Sequence, residues 1–327
     1  MAGHEIGDVP ADADADELAS SSRPTFSFEL YPPRSAAAED ALGVALAELV
    51  ASGPEFISVT YGANGTTRGV SLGVLRHLVQ NTTVAPMAHF TAVGSSFAEA
   101  SQLVREFLDA GVTRFLALRG DPPEGVSEAD LVLGDFGSAS ELVQLIHGVQ
   151  AEREPFVAHP MPGFPGGTRL RSGRKVTIAV AAFPNGHPRS RSRSQDLDTL
   201  LAKEAAGANL AITQLFFEPE AYLEFVDAAR SAGVTMPILP GIMPVLSEKR
   251  LHRILELTGE AMPERLLREL RASDDQAAVG IAHAAQLARE ILAGGAPGIH
   301  LYTFNRSDAP LAVLREVGLL APLEISA

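Results

Sequence analysis

Several separated stretches carry polar side chains that could do chemistry, each embedded in or following an apolar run. Glu29 lies in "FSFELYPP", Thr60 in "FISVTYGANGTTR", His89 in "APMAHFTAV" and Gln214 in "LAITQLFF". Arg119, Gly120 and Asp121 follow "FLAL", His187 follows Phe183 in "AAFPNGHP", and Tyr302, Asn305 and Arg306 close "HLYTFNR". A charged or amide side chain inside an apolar strand is costly unless paired, so each one alone reads as a satisfied core polar group. Many of them at corresponding ends of successive strands read as one site. Glu29 suits proton donation, because burial raises a carboxyl pKa toward neutrality. Arg119 and the backbone amides around Gly120 suit a phosphate or the edge of a flat polar ring. His89, Asp121 and His187 could ligate a metal, but no close histidine pair supports this, and no metal is expected. The lysines are Lys175, Lys203 and Lys249, none at a strand end, which argues against Schiff-base chemistry. The absence of cysteine excludes disulfides and a thiol nucleophile.

The elements that must position these residues are eight short apolar runs, at 26–31, 56–61, 85–93, 114–119, 176–183, 210–217, 237–244 and 298–304. They are near-continuously apolar rather than alternating, the pattern of parallel strands covered on both faces. Segments of helical spacing lie between them, several ending in Gly after a small residue. This rhythm predicts a (β/α)8 TIM barrel, with the site at the C-terminal ends of the strands. A doubly wound sheet would normally carry a Gly-rich turn after its first strand, where this chain has two prolines. Two extra helices are predicted after strand seven, and residues 151–175, rich in Pro, Gly and Arg, are predicted to be a loop insertion. The barrel is assigned to 24–327 and the acidic stretch 1–23 to a disordered tail.

The net charge of −14 disfavours nucleic-acid binding. No apolar run approaches the ~18 residues of a membrane span, and no signal peptide is visible, so a cytoplasmic location is expected. Arg-Gly-Asp at 119–121 could serve as an adhesion tag on an interaction protein. Its position at the end of a buried run opposes that reading.

The motifs "FSFELYPPR", "FISVTYGANGTTR", "AHFTAVG", "LALRGDPP", "AAFPNGHP", "GANLAITQLFFEPEAY", "PILPGIMPV" and "HLYTFNRS", in this order and spacing, resemble the catalytic domain of the methylenetetrahydrofolate reductases over about 24–320. The resemblance implies FAD in the barrel mouth, NADH or NADPH as reductant, and 5,10-methylenetetrahydrofolate as the folate substrate. By motif position it implies FAD contacts from Thr60, His89, Arg119, Gly120, Asp121, Ala139, Phe183, His187, Asp196 and Lys203. Phe183 stands where the family often has a tyrosine. Asp121 would tune the flavin, Glu29 would be the general acid, Gln214 would bind the pterin and Arg306 the folate's glutamate. The family can stack folate on an aromatic in the helix after strand seven. Between Gly241 and Glu260 this chain has none, and Ile254 sits near that place. A flavin-dependent barrel oxidoreductase acting on another iminium or amine is the alternative, and homo-oligomerisation is left open.

Overall fold

The computed structural model of the chain describes residues 24–60, 68–91, 94–120, 134–153, 157–160, 168–171 and 176–321. Eight parallel strands close into a barrel: β1 (Thr25–Leu30), β2 (Phe56–Val59), β3 (Ala85–Thr91), β4 (Arg114–Leu118), β7 (Thr177–Ala182), β8 (Leu210–Leu215), β9 (Ile238–Ile242) and β10 (Gly298–Tyr302). Closure is made by β1 against β10, with Ser27 opposite His300 and Glu29 opposite Tyr302.

Helices connect the strands: α1 (Ala36–Ala51), α2 (Arg68–Asn81), α3 (Phe97–Asp109), α4 (Ala139–Arg153), α5 (Arg193–Ala205), α6 (Pro219–Ala232) and α10 (Asp308–Glu316). Their boundaries follow local chemistry. Ser35, Ser192 and Ser247 accept hydrogen bonds from backbone amides of the first turn, and Ser96 with Glu99 forms a complete capping box. Gly233 ends α6 in the left-handed conformation that glycine adopts without steric cost.

Period-two alternation sorts the strand side chains. Phe28 and Leu30 of β1 face outward into the main core beneath the helices. Ser27 and Glu29 therefore face the barrel interior. The interior floor is apolar, built from Phe56, Met87, Leu116, Ala179, Leu210, Ile212 and Leu239. Above it, toward the strand C-termini, the lining turns polar.

Two sequence expectations need correction. Three helices follow β9 where two were predicted: α7 (Glu248–Thr258), α8 (Glu264–Ala272) and α9 (Gln276–Ala293), one of which completes the strand–helix alternation of the barrel. The second predicted helix breaks after Ala272, where Ser273 is extended and Asp275 caps a new start through Ala278. Within 151–175, residues 151–153 close α4, and β5 (Val157–Pro160) pairs antiparallel with β6 (Thr168–Arg171). The predicted tail 1–23 lies outside the described residues. Among the described residues no helix is long and apolar enough to cross a membrane.

Candidate active site

The polar layer of the interior centres on Glu29. Its Oε2 lies 3.3 Å from His89 Nε2 and 3.8 Å from His300 Nε2. Both imidazole nitrogens are buried and lack a well-aligned hydrogen-bond partner. Behind them, His300 Nδ1 lies 2.8 Å from Ser27 Oγ, and the His300 ring stacks on Phe56. The side chain of His300 is fully buried, whereas that of Glu29 is 21% exposed, enough to be reached from the mouth.

This geometry corrects the expected titration of Glu29. Burial does push its carboxyl up. The attraction of His89, with the polar approach of both imidazoles, outweighs burial and brings the pKa down to about 2. Burial pushes His300 down, against the pull of the carboxylate. Glu29 is thus one member of a Ser27–His300–Glu29–His89 network rather than an isolated acid.

Tyr302, next above His300 on the same inward face, donates to Thr213 O at 2.8 Å, and Gly241 N donates to Thr213 Oγ1. A Cβ at Gly241 would sit 2.4 Å from Thr213 O and 2.7 Å from the Tyr302 ring, so only glycine fits beside that ring. Gln214 is partly exposed, and its Oε1 accepts from Leu215 N at 2.9 Å. Among the described residues its amide nitrogen has no partner, leaving a donor for a ligand.

A second group lies where β7 leads into α5. Phe183 packs edge-on to His187, with ring centroids 4.6 Å apart. Asp196 accepts from His187 N at 3.3 Å and from Ser190 Oγ. Lys203, partly buried on α5, donates to Ala181 O at 2.8 Å. Burial pulls its pKa down to about 8, against the attraction of Asp196. An ammonium has three donors, and among the described residues Lys203 uses one. A desolvated cation with donors to spare fits an anionic or carbonyl-rich ligand, so the residues present are compatible with a flavin dinucleotide.

The remaining predicted residues are placed as follows. Thr60 is partly buried just beyond β2, and its carbonyl accepts from Ser71 Oγ. Arg119 and Gly120 follow β4, with Gly120 at φ 89°. Ala139 is buried at the start of α4. Asp121 lies outside the described residues. Arg306 is exposed and held by Asp308 through two contacts, Nε–Oδ1 at 3.0 Å and Nη2–Oδ2 at 2.5 Å. Its charge is already compensated within the chain. No trio of histidine or carboxylate side chains among the described residues is arranged to hold a metal ion.

Ser27 and His300 escaped the sequence reading. Their signal was the alternation that places them on the same inward face as Glu29 and Tyr302. Ser27 read as a strand residue, and His300 lies before the polar end of its run.

Comparison with known proteins adds an independent line. A family model described as "Methylenetetrahydrofolate reductase" matches residues 15–318. The chain is 32% identical over 323 residues to a "Probable methylenetetrahydrofolate reductase (NADH)" of Oryza sativa subsp. japonica, covering 95% of this chain and 51% of that one. It thus spans about half the length of that plant relative. It is 31% identical over 297 residues to the "5,10-methylenetetrahydrofolate reductase" of Escherichia coli (strain K12), covering 90% of each chain. Among solved structures, a Clostridium thermocellum protein described as binding two copies of 5-methyl-5,6,7,8-tetrahydrofolic acid superposes with a TM-score of 0.62. That likeness covers 92% of this chain and 96% of the other at 12% identity, and shows the fold alone. With its motifs carried on a closed parallel barrel, the chain belongs to the methylenetetrahydrofolate reductase family.

Proposed function

We propose that the protein reduces 5,10-methylenetetrahydrofolate to 5-methyltetrahydrofolate, with NADH or NADPH as reductant and FAD as cofactor. The observation that carries this reading is Glu29, reachable from the mouth and backed by two imidazoles inside a barrel of this family. Bound FAD would supply two-electron chemistry, taking hydride from the nicotinamide in one half-reaction and delivering it to the folate in the other. Lys203, Arg119 and the backbone at Gly120 would hold its polar parts, with Phe183, His187 and Asp196 lining the same side.

Glu29 acts on the folate. Protonating a nitrogen of the five-membered ring opens it to an iminium, the form that accepts hydride. In the free protein the carboxyl is ionised, so it must take up a proton from solvent as the substrate binds. A ligand that covers the exposed part of Glu29 removes its remaining water and raises its pKa, drawing a proton onto the carboxyl. The Ser27–His300 contact fixes which way the His300 ring presents Nε2 to Glu29. Gln214 would donate its amide N–H to the pterin.

The test is anaerobic spectroscopy of the purified protein. The expected result is a yellow flavoprotein that NADH or NADPH bleaches and methylenetetrahydrofolate reoxidises, with methyltetrahydrofolate as product. Reoxidation by other iminium acceptors but not by methylenetetrahydrofolate would establish the alternative substrate class instead.

A further inference from the structure

We propose that Ser58 is a positioning residue for the folate half-reaction, accepting the Nε2–H of His89 when the Glu29 carboxylate becomes an acid. The assignment rests on the function proposed above. Ser58 lies on β2, between the strands that carry Glu29 and His89. Its neighbours Ile57 and Val59 belong to the core beneath the helices, whereas Phe56 belongs to the interior floor. Alternation therefore turns Ser58 into the barrel. It is in register with Glu29 on one side and with Met87, two residues before His89, on the other. The His89 ring reaches from β3 to within 3.3 Å of Glu29 on β1, so it must cross β2 above Ser58.

Ser58 is 0% exposed, and among the described residues its Oγ has no hydrogen-bond partner. A buried hydroxyl left unpaired costs stability that an alanine in its place would not. The hydroxyl is therefore paired in another state of the site. His89 supplies the donor. A carboxylate only accepts, so the Glu29–His89 approach needs the hydrogen on Nε2. Once Glu29 is protonated, the charge that attracts that N–H is gone, and a buried donor needs an acceptor. Ser58 Oγ, beneath the ring, has its lone pairs unclaimed. Exchange of Glu29 for Ser58 keeps the imidazole paired and frees the acid's oxygens for the folate. His300 needs no such exchange, because Ser27 already fixes its ring from behind. The titratable groups facing this point are Glu29 from β1, His89 from β3, and His300 and Tyr302 from β10. On β4, Arg114 lies at the far end of the strand and pairs with Glu55, while β2, β7, β8 and β9 carry no titratable residue.

The experiment joins half-reaction kinetics with crystallography of the full chain. Ser58 favours the state in which Glu29 is protonated, so its loss makes the acid form harder to reach. The folate half-reaction slows as pH rises and Glu29 gives up its proton in the complex. Ser58→Ala should move that fall to lower pH and slow the half-reaction roughly fivefold at neutral pH, the effect of one hydrogen bond. Ser58→Thr, which keeps the hydroxyl, should retain the parent's rate and profile. Bleaching of the flavin by NADH should be unaltered in both. A crystal structure of the parent with 5-methyltetrahydrofolate bound should show Ser58 Oγ within hydrogen-bond distance of His89 Nε2. A Ser58→Ala profile that does not move, even with lowered thermal stability, overturns the assignment. So does a ligand-bound structure in which Ser58 Oγ pairs with a main-chain carbonyl instead. Failure of the parent to be reoxidised by methylenetetrahydrofolate would instead overturn the function, and the two results are read independently.

Discussion

Two parts of this molecule lower the pKa of a buried ionisable group, and they do so for opposite reasons. At Glu29 burial pushes the pKa up, and the two imidazoles outweigh it. At Lys203 burial pulls the pKa down, and Asp196 is too weak an attraction to prevent it. The first region has its counter-groups built in from β1, β3 and β10. The second holds a cation whose compensation is incomplete within the chain. Proton handling needs a network that is present before substrate arrives. A binding shelf is better left short of its counter-charge, because the ligand then supplies what folding did not.

The largest effect that could break this comparison is expected at Glu29. Glu29→Gln should leave bleaching by NADH unchanged and slow reoxidation by methylenetetrahydrofolate by about 10²- to 10⁴-fold, the usual contribution of a general acid. Separate half-reaction measurements by stopped flow would show this. An equal loss in both half-reactions would mean that Glu29 shapes the flavin site rather than the folate chemistry.

A smaller effect is expected at Lys203. Lys203→Met should weaken FAD binding by roughly tenfold to a hundredfold, the value of a charge-assisted hydrogen bond. The pH dependence sharpens the contrast. With a pKa of about 8 in the free protein, Lys203 is protonated below that pH and FAD affinity should be flat there. Above it, binding an anion must first restore the proton. Affinity should therefore fall by up to about tenfold per pH unit until the pKa of the bound state is passed. Fluorescence titration of FAD between pH 7 and 10 would record this slope, and Lys203→Met should abolish it.

The smallest effect is expected at Ser27. Ser27→Ala removes one hydrogen bond to His300, worth about 1 kcal/mol, and should slow the folate half-reaction roughly fivefold. Its signature is a displaced pH profile for that half-reaction alone. A purely structural role would change thermal stability without moving the profile.

Much of the architecture was readable without coordinates. Apolar runs such as "RFLAL" and "TIAVAA" are buried along nearly their whole length, and each became a barrel strand. Arg119 and Gly120 were likewise readable as leaving the end of a buried strand, since β4 closes at Leu118. The third helix after β9 was less readable, because its start depends on a single side-chain cap, Asp275, within a run that is otherwise helical in composition.

The site divides along the same line. Sequence alone determined that Glu29 is a polar residue carried by the first of eight apolar runs that read as barrel strands. It also determined the order of polar residues at the strand ends, and through them the family. Only the tertiary structure decided what surrounds each group. Ser27 meets His300 across 273 residues of chain because β1 and β10 close the barrel in one register. Asp308 neutralises Arg306, while Arg250 reaches over Phe304 from a different helix. The pKa of Glu29 falls rather than rises for the same reason: titration depends on neighbours in space, and those neighbours come from three separate strands.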